Sequence, residues 1–411
     1  MFQIGAIAVV AFNVVVWLAL RKRLVAAFPR RGKWIALATI PLLLLLLHPS
    51  MLMAVGGWSG MRGSRGLFPE WFQMFCVAAQ FGWIFYGLML APFGAWRLML
   101  RLRALARRDS GTPLQRQLAD SGRRRMLTSA ALMVPAAAMV LGGGSVLASR
   151  VVPSVTRIRL RVPREMTSLH GLTIAQCSDV HVGSYMGRER LAEIRDAMNA
   201  TGADYHVVTG DLVDNHVSQM ELATQFLREL KPRRESFQCM GNHEYIAARS
   251  ADVKTIVSGL HETGASMLID EARVIRVGSD HFWMGGIDYP RNRDQSVSGR
   301  DNHRDSLLAT LAQMSDDGAP RIVLSHHPRA FFDAREMQLD LMLSGHTHGG
   351  QIKLGRVGDA ALTPILPLDY YHNGHYQHEG RSLYVNAGAG GWLPVRINCP
   401  PEITLIELVS A

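Results

Sequence analysis

The sequence predicts a mixed α/β (α+β) domain over residues 151–411, preceded by an all-α transmembrane region over residues 1–150. Three observations predict this division. Four apolar runs, 3–20, 36–56, 72–96 and 126–148, fill the first part. Beyond Val151, short β-branched runs alternate with apolar stripes at helical spacing, as strands and helices of one domain do. Charge changes at the same place, from 18 Lys+Arg against 3 Asp+Glu through Arg150 to 26 against 31 after it. At 411 residues the chain also exceeds a single domain of about 100–200 residues.

Each apolar run is close to the roughly 20 residues that a helix needs to cross a bilayer. Leu42 to Leu47 is uninterrupted leucine, and the run from Trp71 to Trp96 has aromatics at both ends, like interfacial anchors. Arginine-rich connectors argue against a buried bundle of a soluble protein. The first holds Arg21, Lys22, Arg23, Arg30, Arg31 and Lys33, and the third holds nine arginines from Arg97 to Arg125. The second holds only Arg62 and Arg65 against Glu70. The positive-inside rule therefore places the first and third in the cytoplasm, and the N-terminus and the C-terminal domain outside. Arg123-Arg124-Arg125 before the last run resembles an internal twin-arginine export signal, with cleavage after Ala148 left open. Apart from His48 and Asn13 the runs carry few polar residues and no acidic ones, so they anchor rather than transport.

In the second part, Leu172–Cys177, Tyr205–Val208, Ser236–Met240, Ile322–Leu324 and Leu341–Leu343 each predict a strand running into a polar motif. Leu191, Ile194 and Met198 predict a helix, as do Val253, Ile256, Val257 and Leu260 before Gly264. Arg273–Val277, Phe282–Gly285, Ser382–Val385 and Ile403–Leu408 predict further strands. The acidic balance here gives no footprint for nucleic acid. The four cysteines share no zinc spacing, and Cys76, Cys177 and Cys239 are expected as small buried hydrophobes without a disulfide framework.

The motifs carry the chemistry. In Gly345-His346-Thr347-His348-Gly349, alternate residues of an extended segment point the same way, so both imidazoles can meet one point. Upstream stand Asp179-Val180-His181, Gly210-Asp211, Gly241-Asn242-His243 and the adjacent His326 and His327. About 30 residues separate Asp179 from Asp211, and Asp211 from Asn242, which is one strand–helix unit each time. The motifs can then share the carboxyl end of neighbouring parallel strands, where such sheets bind ligands. Carboxylate, imidazole and amide donors suit Mn, Fe or Zn. Two such ions about 3.5–4 Å apart would clamp a phosphoryl oxygen and acidify a water to attack it.

Asp179-x-His181, Gly210-Asp211-x-x-Asp214, Gly241-Asn242-His243-Glu244, His326 before Pro328 and Gly345-His346-x-His348 together resemble the five-block signature of the calcineurin-like metallophosphoesterases. The resemblance spans about residues 155–410. It includes features of the bacterial membrane-associated branch, namely Gly345 to Ile352 and the ending Pro400-Pro401-Glu402. It implies a four-layer α-β-β-α sandwich. It also implies two divalent metal ions, with Asp179, His181 and His348 at one, Asn242, His326 and His346 at the other, and Asp211 bridging. His243 would serve as proton or hydrogen-bond donor to the substrate, oriented by the Asp214 carboxylate.

The expected activity is hydrolysis of a phosphodiester or pyrophosphate bond by a membrane-anchored enzyme, with a lipid or lipid-linked phosphate ester as candidate substrate. A cytoplasmic lipid-linked UDP-sugar pyrophosphohydrolase and a non-catalytic metal-binding sensor or scaffold are the alternatives. His206 is expected in the core, and His372, His375 and His378 in a solvated loop. Arg396 and Asn398 stand in a segment that could reach the site, where an arginine would suit phosphate recognition. Gln351 either bonds substrate or closes its turn.

Overall fold

A computed structural model describes residues 2–27, 29–41, 43, 78–79, 82–84, 86–87, 95, 98–99, 137, 140–183, 185–289, 302–357, 360–363, 370–391 and 393–411. It forms two compact units, Met1–Leu147 and Ala148–Ala411. In the first, helices α1 (Phe2–Ala27) and α2 (Gly32–Ala38) are joined by a 3-10 turn at Pro29–Arg31. Val16, Trp17 and Leu20 pack with Trp83 and Tyr86, and the Trp17 indole N–H donates to the Thr39 carbonyl at 2.9 Å. Among the described residues no helix is long and apolar enough to cross a membrane. Most of the expected runs 36–56, 72–96 and 126–148, and Cys76, lie outside the described residues.

The second unit contains two six-stranded sheets. One holds β1 (Ser154–Val162), β2 (Thr173–Cys177), β3 (Tyr205–Thr209), β4 (Glu235–Cys239), β5 (Ser266–Leu268) and β14 (Glu402–Ser410), in the order β1-β14-β2-β3-β4-β5. The other holds β6 (Glu271–Val277), β7 (Asp280–Gly286), β8 (Arg321–Leu324), β9 (Leu341–Ser344), β12 (Gly374–His378) and β13 (Arg381–Val385), in the order β12-β13-β9-β8-β7-β6. β10 (Gly355–Val357) and β11 (Ala360–Leu362) form a separate hairpin.

The strands leading into the motifs are buried on both faces, so they are largely apolar, with buried polar residues such as Gln176, His206 and Gln238 between the apolar ones. Ile174, Tyr205, Val207 and Phe237 of one sheet meet Phe282, Met284, Ile322, Leu324 and Leu343 of the other. On the outer face of the first sheet, Ala175, Cys177 and Val208 pack under α3 (Arg188–Ala200), α4 (Met220–Arg228) and α6 (Val253–His261). On that of the second, Val323, Met342 and Val385 pack against α7 (His303–Leu311) and α8 (Phe331–Ala334). Each fully buried aliphatic or aromatic side chain contributes about 1.5–3 kcal/mol, so these three clusters hold the layers together. The layers run helix, sheet, sheet, helix. β2, β3 and β4 run parallel to one another, and so do β7, β8 and β9.

Two differences from expectation have simple causes. β1 alternates exposed Arg157, Arg159 and Arg161 with Ile158, Leu160 and Val162, a half-buried pattern that its charge obscures. The histidine-rich segment is not all loop: Gly374–His378 is an edge strand, with His375 and His378 exposed.

Candidate metal centre

The short α5 (Asn242–Ala247) and the loops after β2, β3, β8 and β9 supply all the expected ligands at one rim. Each motif begins within three residues of its strand's last residue, so strand register sets ligand position. Five ligands take a left-handed backbone that side chains rarely adopt: Asp179 (φ 53°), His181 (54°), Asp211 (53°), His346 (68°) and His348 (50°). Such conformations cost about 1–3 kcal/mol each and persist only where the surroundings enforce them.

The ligands gather in two overlapping groups. His181 Nε2 lies 3.1 Å from His348 Nε2, and His348 Nε2 lies 3.4 Å from Asp179 Oδ1. In the other group, His326 Nε2 is 3.1 Å from Asp211 Oδ2 and 3.1 Å from Asn242 Oδ1. His346 Nδ1 is 2.8 Å from Asn242 Oδ1 and 3.1 Å from His326 Nε2. Asp211 Oδ2 is also 3.7 Å from His181 Nε2, so this carboxylate touches both groups. Asp179, His181 and His348 could hold one ion, and Asp211, His326 and His346 another.

The donors fit divalent cations. Metal ligation requires unprotonated imidazoles and ionised carboxylates. Burial, with the neighbouring His326, pushes the His346 imidazole down to about 3, and burial with His181 keeps His348 well below its usual value. Burial would raise the Asp211 carboxyl, yet His243, His326 and His181 outweigh it and hold it well below the carboxylate range. His326 differs: burial opposes its charge, but Asp211 and Asp179 raise it to about 9, so an ion there would have to displace its proton. Burial raises Asp179, with His326 opposing.

His243 and Asp214 stand beside this cluster. His243 Nε2 is 3.8 Å from Asp211 Oδ2, and with His181 and Asp211 it forms a third group able to hold an ion. Its Nδ1 lies 2.6 Å from the Asp214 backbone carbonyl and 3.5 Å from the Asp214 carboxylate. The main-chain carbonyl, not the carboxylate, is thus the nearer orienting group. The carboxylate lies between His243 and His181, 3.6 Å from His181 Nδ1. Burial opposes protonation of His243, but Asp211 and Asp214 overcome it and raise its pKa.

Close packing explains the glycines of the motifs. A Cβ on Gly345 would stand 1.8 Å from Ser178 Oγ and 2.3 Å from Asp179 Oδ2. One on Gly241 would stand 2.3 Å from Asp211 Oδ1.

Glu244 is a positioning residue that motif reading left without a role. Its carboxylate accepts backbone N–H from Asp211 (3.0 Å), Gly241 (2.8 Å), Leu212 (2.7 Å) and Val213 (3.2 Å). The signal was present in the sequence: a glutamate three residues into a helix reaches back to the capping residue's N–H.

Arg396 corrects an expectation. It is fully buried and donates to the carbonyls of Cys399 (3.0 Å), Pro400 (3.3 Å), Ala387 (2.9 Å), Gly388 (2.9 Å) and Gly390 (2.8 Å). With those donors engaged it braces the glycine-rich turn rather than reaching phosphate. That turn supports the site, because Ala389 N donates to Ser178 O and Gly390 N to Asp179 O. Asn398 is turned to the Lys353 carbonyl, and Gln351 closes its turn onto the Leu393 carbonyl at 3.0 Å. His327 caps the turn at Pro328–Ala330, whereas His326 points its Nε2 into the cluster beside Asp211. His372 is buried and its carbonyl accepts from Thr347 Oγ1, so it is not clustered with His375 and His378. His206, Cys177 and Cys239 are buried as expected.

Residues 172–350 match the family model described as calcineurin-like phosphoesterase. The chain is 33% identical over 270 residues to a Danio rerio transmembrane protein with metallophosphoesterase domain, covering 63% of this chain and 58% of that one. It is 30% identical over 241 residues to an uncharacterized metallophosphoesterase of Helicobacter pylori, covering 58% and 60%. It is 26% identical over 290 residues to the UDP-2,3-diacylglucosamine pyrophosphatase LpxG of Chlamydia muridarum, covering 62% and 88%. The chain thus spans about three fifths of the length of the first two relatives.

Proposed function

Since the chain belongs, through residues 172–350, to the calcineurin-like phosphoesterases, we propose that it is a membrane-associated hydrolase of phosphodiester or pyrophosphate bonds that works with two divalent metal ions. The observation that carries this reading is the convergence of seven donors from four loops and the start of α5, five of them held in a left-handed backbone. Asp179, His181 and His348 would hold one ion, Asn242, His326 and His346 the other, and Asp211 both. The ions would supply Lewis-acid polarisation of the phosphoryl group and a nucleophilic water.

The chain's own residues supply the rest. Asp179, His181, Asp211 and His348 are buried, which keeps bulk water from the inner group. His243 presents Nε2 toward Asp211 while its Nδ1 faces the Asp214 carbonyl. Asp211 and Asp214 favour the protonated form of that imidazole, whose proton would go to an oxygen of the substrate. Asp214 fixes its tautomer and orientation.

Membrane association is supported by the relative named as a transmembrane protein and by the apolar runs. On the arginine distribution we assign a multi-pass anchor with the domain on the extracytoplasmic side. A lipid or lipid-linked phosphate is the corresponding substrate class. The resemblance to LpxG keeps a nucleotide-linked pyrophosphate in the panel.

Full-length protein loaded with Mn is expected to cleave a chromogenic phosphodiester, and Asn242→Ala to abolish the cleavage. Equal rates for wild type and Asn242→Ala would refute the enzyme reading. A reporter fused after Ala411 that is active only in the cytoplasm would overturn the orientation.

A further inference from the structure

The metal cluster has a closed side and an open side. Asp179, His181, Asp211 and His348 are buried, whereas Asn242, His346, His327 and Tyr289 keep part of their surface in solvent. On the open side the His327 ring stacks on the His346 ring, with centroids 4.2 Å apart and planes at 29°. Tyr289 lies 6.3 Å from His327 at 20° and 6.2 Å from His346. His303 meets both edge-on, 6.3 Å from Tyr289 and 5.7 Å from His327.

These rings come from separate segments, and the main chain braces them. Tyr289 N donates to Asp288 Oδ1 at 2.8 Å, and the Tyr245 hydroxyl of α5 donates to the same oxygen at 2.5 Å. Asp288 N in turn donates to Asp270 Oδ1 at 2.9 Å. The helix that begins at Asn242 and the turn that carries Tyr289 are therefore tied through one carboxylate. His327 is fixed as a cap, its Nδ1 accepting from Arg329 N at 3.2 Å. Core packing alone would bury these rings, and a solvated loop would not brace them. Braced aromatic residues that keep part of their surface in solvent beside an expected metal ligand are suited to stacking a planar group.

We propose that Tyr289 and His327 form an aromatic shelf that stacks a planar ring carried on the substrate's phosphate, an aryl group or a nucleobase. The proposal rests on the phosphoesterase reading and narrows its substrate class. A ring bound there lies against faces rather than charges, so the shelf selects planarity and not a particular base.

Calorimetric titration of the full-length, Mn-loaded protein tests it with methyl phosphate, phenyl phosphate and UMP. Phenyl phosphate or UMP is expected to bind at least about tenfold more tightly than methyl phosphate. Which of the two binds tighter distinguishes an aryl group from a nucleobase. Tyr289→Ala and Tyr289→Leu are expected to erase the difference, and Tyr289→Phe to keep it, with methyl phosphate affinity and Mn content unchanged in all three. Equal binding of the three probes to wild type, or an equal loss for all three in Tyr289→Ala, overturns the shelf. Retained selectivity for planar esters in a protein that hydrolyses none of them would leave the shelf standing and refute the phosphoesterase reading.

Discussion

Replacing Glu244 with glutamine changes one atom of the side chain and removes its charge, yet the surroundings make that change severe. Two backbone N–H groups donate to each carboxylate oxygen: Asp211 and Gly241 to Oε2, Leu212 and Val213 to Oε1. Glutamine keeps one acceptor oxygen and turns an NH2 group toward two N–H donors. Hydrogen bonds to a charged group contribute about 1.5–3 kcal/mol each, so losing two lowers stability by about 3–6 kcal/mol. That is a large share of the roughly 5–15 kcal/mol by which a domain is stable. At about 2–4 °C per kcal/mol, Tm should fall by about 6–24 °C. The loop that moves carries Asp211, so Mn retained through gel filtration should fall as well. Thermal unfolding followed by circular dichroism, with metal analysis of the same sample, measures both. A Glu244→Gln protein whose Tm lies within about 2 °C of wild type, with full Mn content, would refute the assignment of Glu244 as the brace of the bridging loop.

Arg396→Met takes the side-chain donor from five carbonyl oxygens in a buried turn, one of which, that of Gly388, also accepts from the Glu402 N–H, and should destabilise the domain by about 3 kcal/mol or more. Denaturant titration checks this, and an unchanged midpoint would return Arg396 to the list of substrate ligands. His206 is fully buried, neither ring nitrogen has a hydrogen-bond partner among the described residues, and burial lowers its pKa to about 4. Its lowered folded-state value means that stability is intact above the unfolded value of about 6.5 and is lost as pH falls toward 4, by up to about 3 kcal/mol. His206→Leu should flatten that part of the stability–pH curve, and an identical curve for the variant would contradict it. Chelation should lower Tm and Mn should restore it, since an ion at a hundred times its Kd adds about 2.7 kcal/mol per site. A Tm indifferent to both would count against occupied sites.

Much of this site was legible because each ligand motif sits directly after a strand. Cys177, Thr209, Cys239, Leu324 and Ser344 end five strands, and the donors follow within four residues. Both-face burial makes those strands largely apolar, which sequence reveals well. Half-buried and edge strands were harder. β1 hides its inward Ile158, Leu160 and Val162 among arginines, and β12 is written in glycine, histidine and tyrosine. The roles of Glu244 and Arg396 depend on backbone groups up to 33 positions away, and no local pattern encodes which carbonyl or N–H a charged side chain will meet. Arg396 illustrates the hazard, because a lone arginine near a phosphate site invites a ligand role that its burial denies.

The origin of the ligands ties the cations to the fold. The loops after β2, β3 and β4 supply Asp179, His181, Asp211 and Asn242 from one sheet, and those after β8 and β9 supply His326, His346 and His348 from the other. Neither group is drawn from a single sheet: Asp179 and His181 pair with His348, and Asp211 with His326 and His346. An ion in either group therefore joins the two sheets at the rim where the inter-sheet core ends. Without cations, the left-handed backbone at five of these residues opposes closure there, at about 1–3 kcal/mol for each. Metal binding should then protect amides of β8 and β9 as strongly as those of β2 and β3 in hydrogen exchange. Protection confined to one sheet would mean that the ions do not bridge the sandwich.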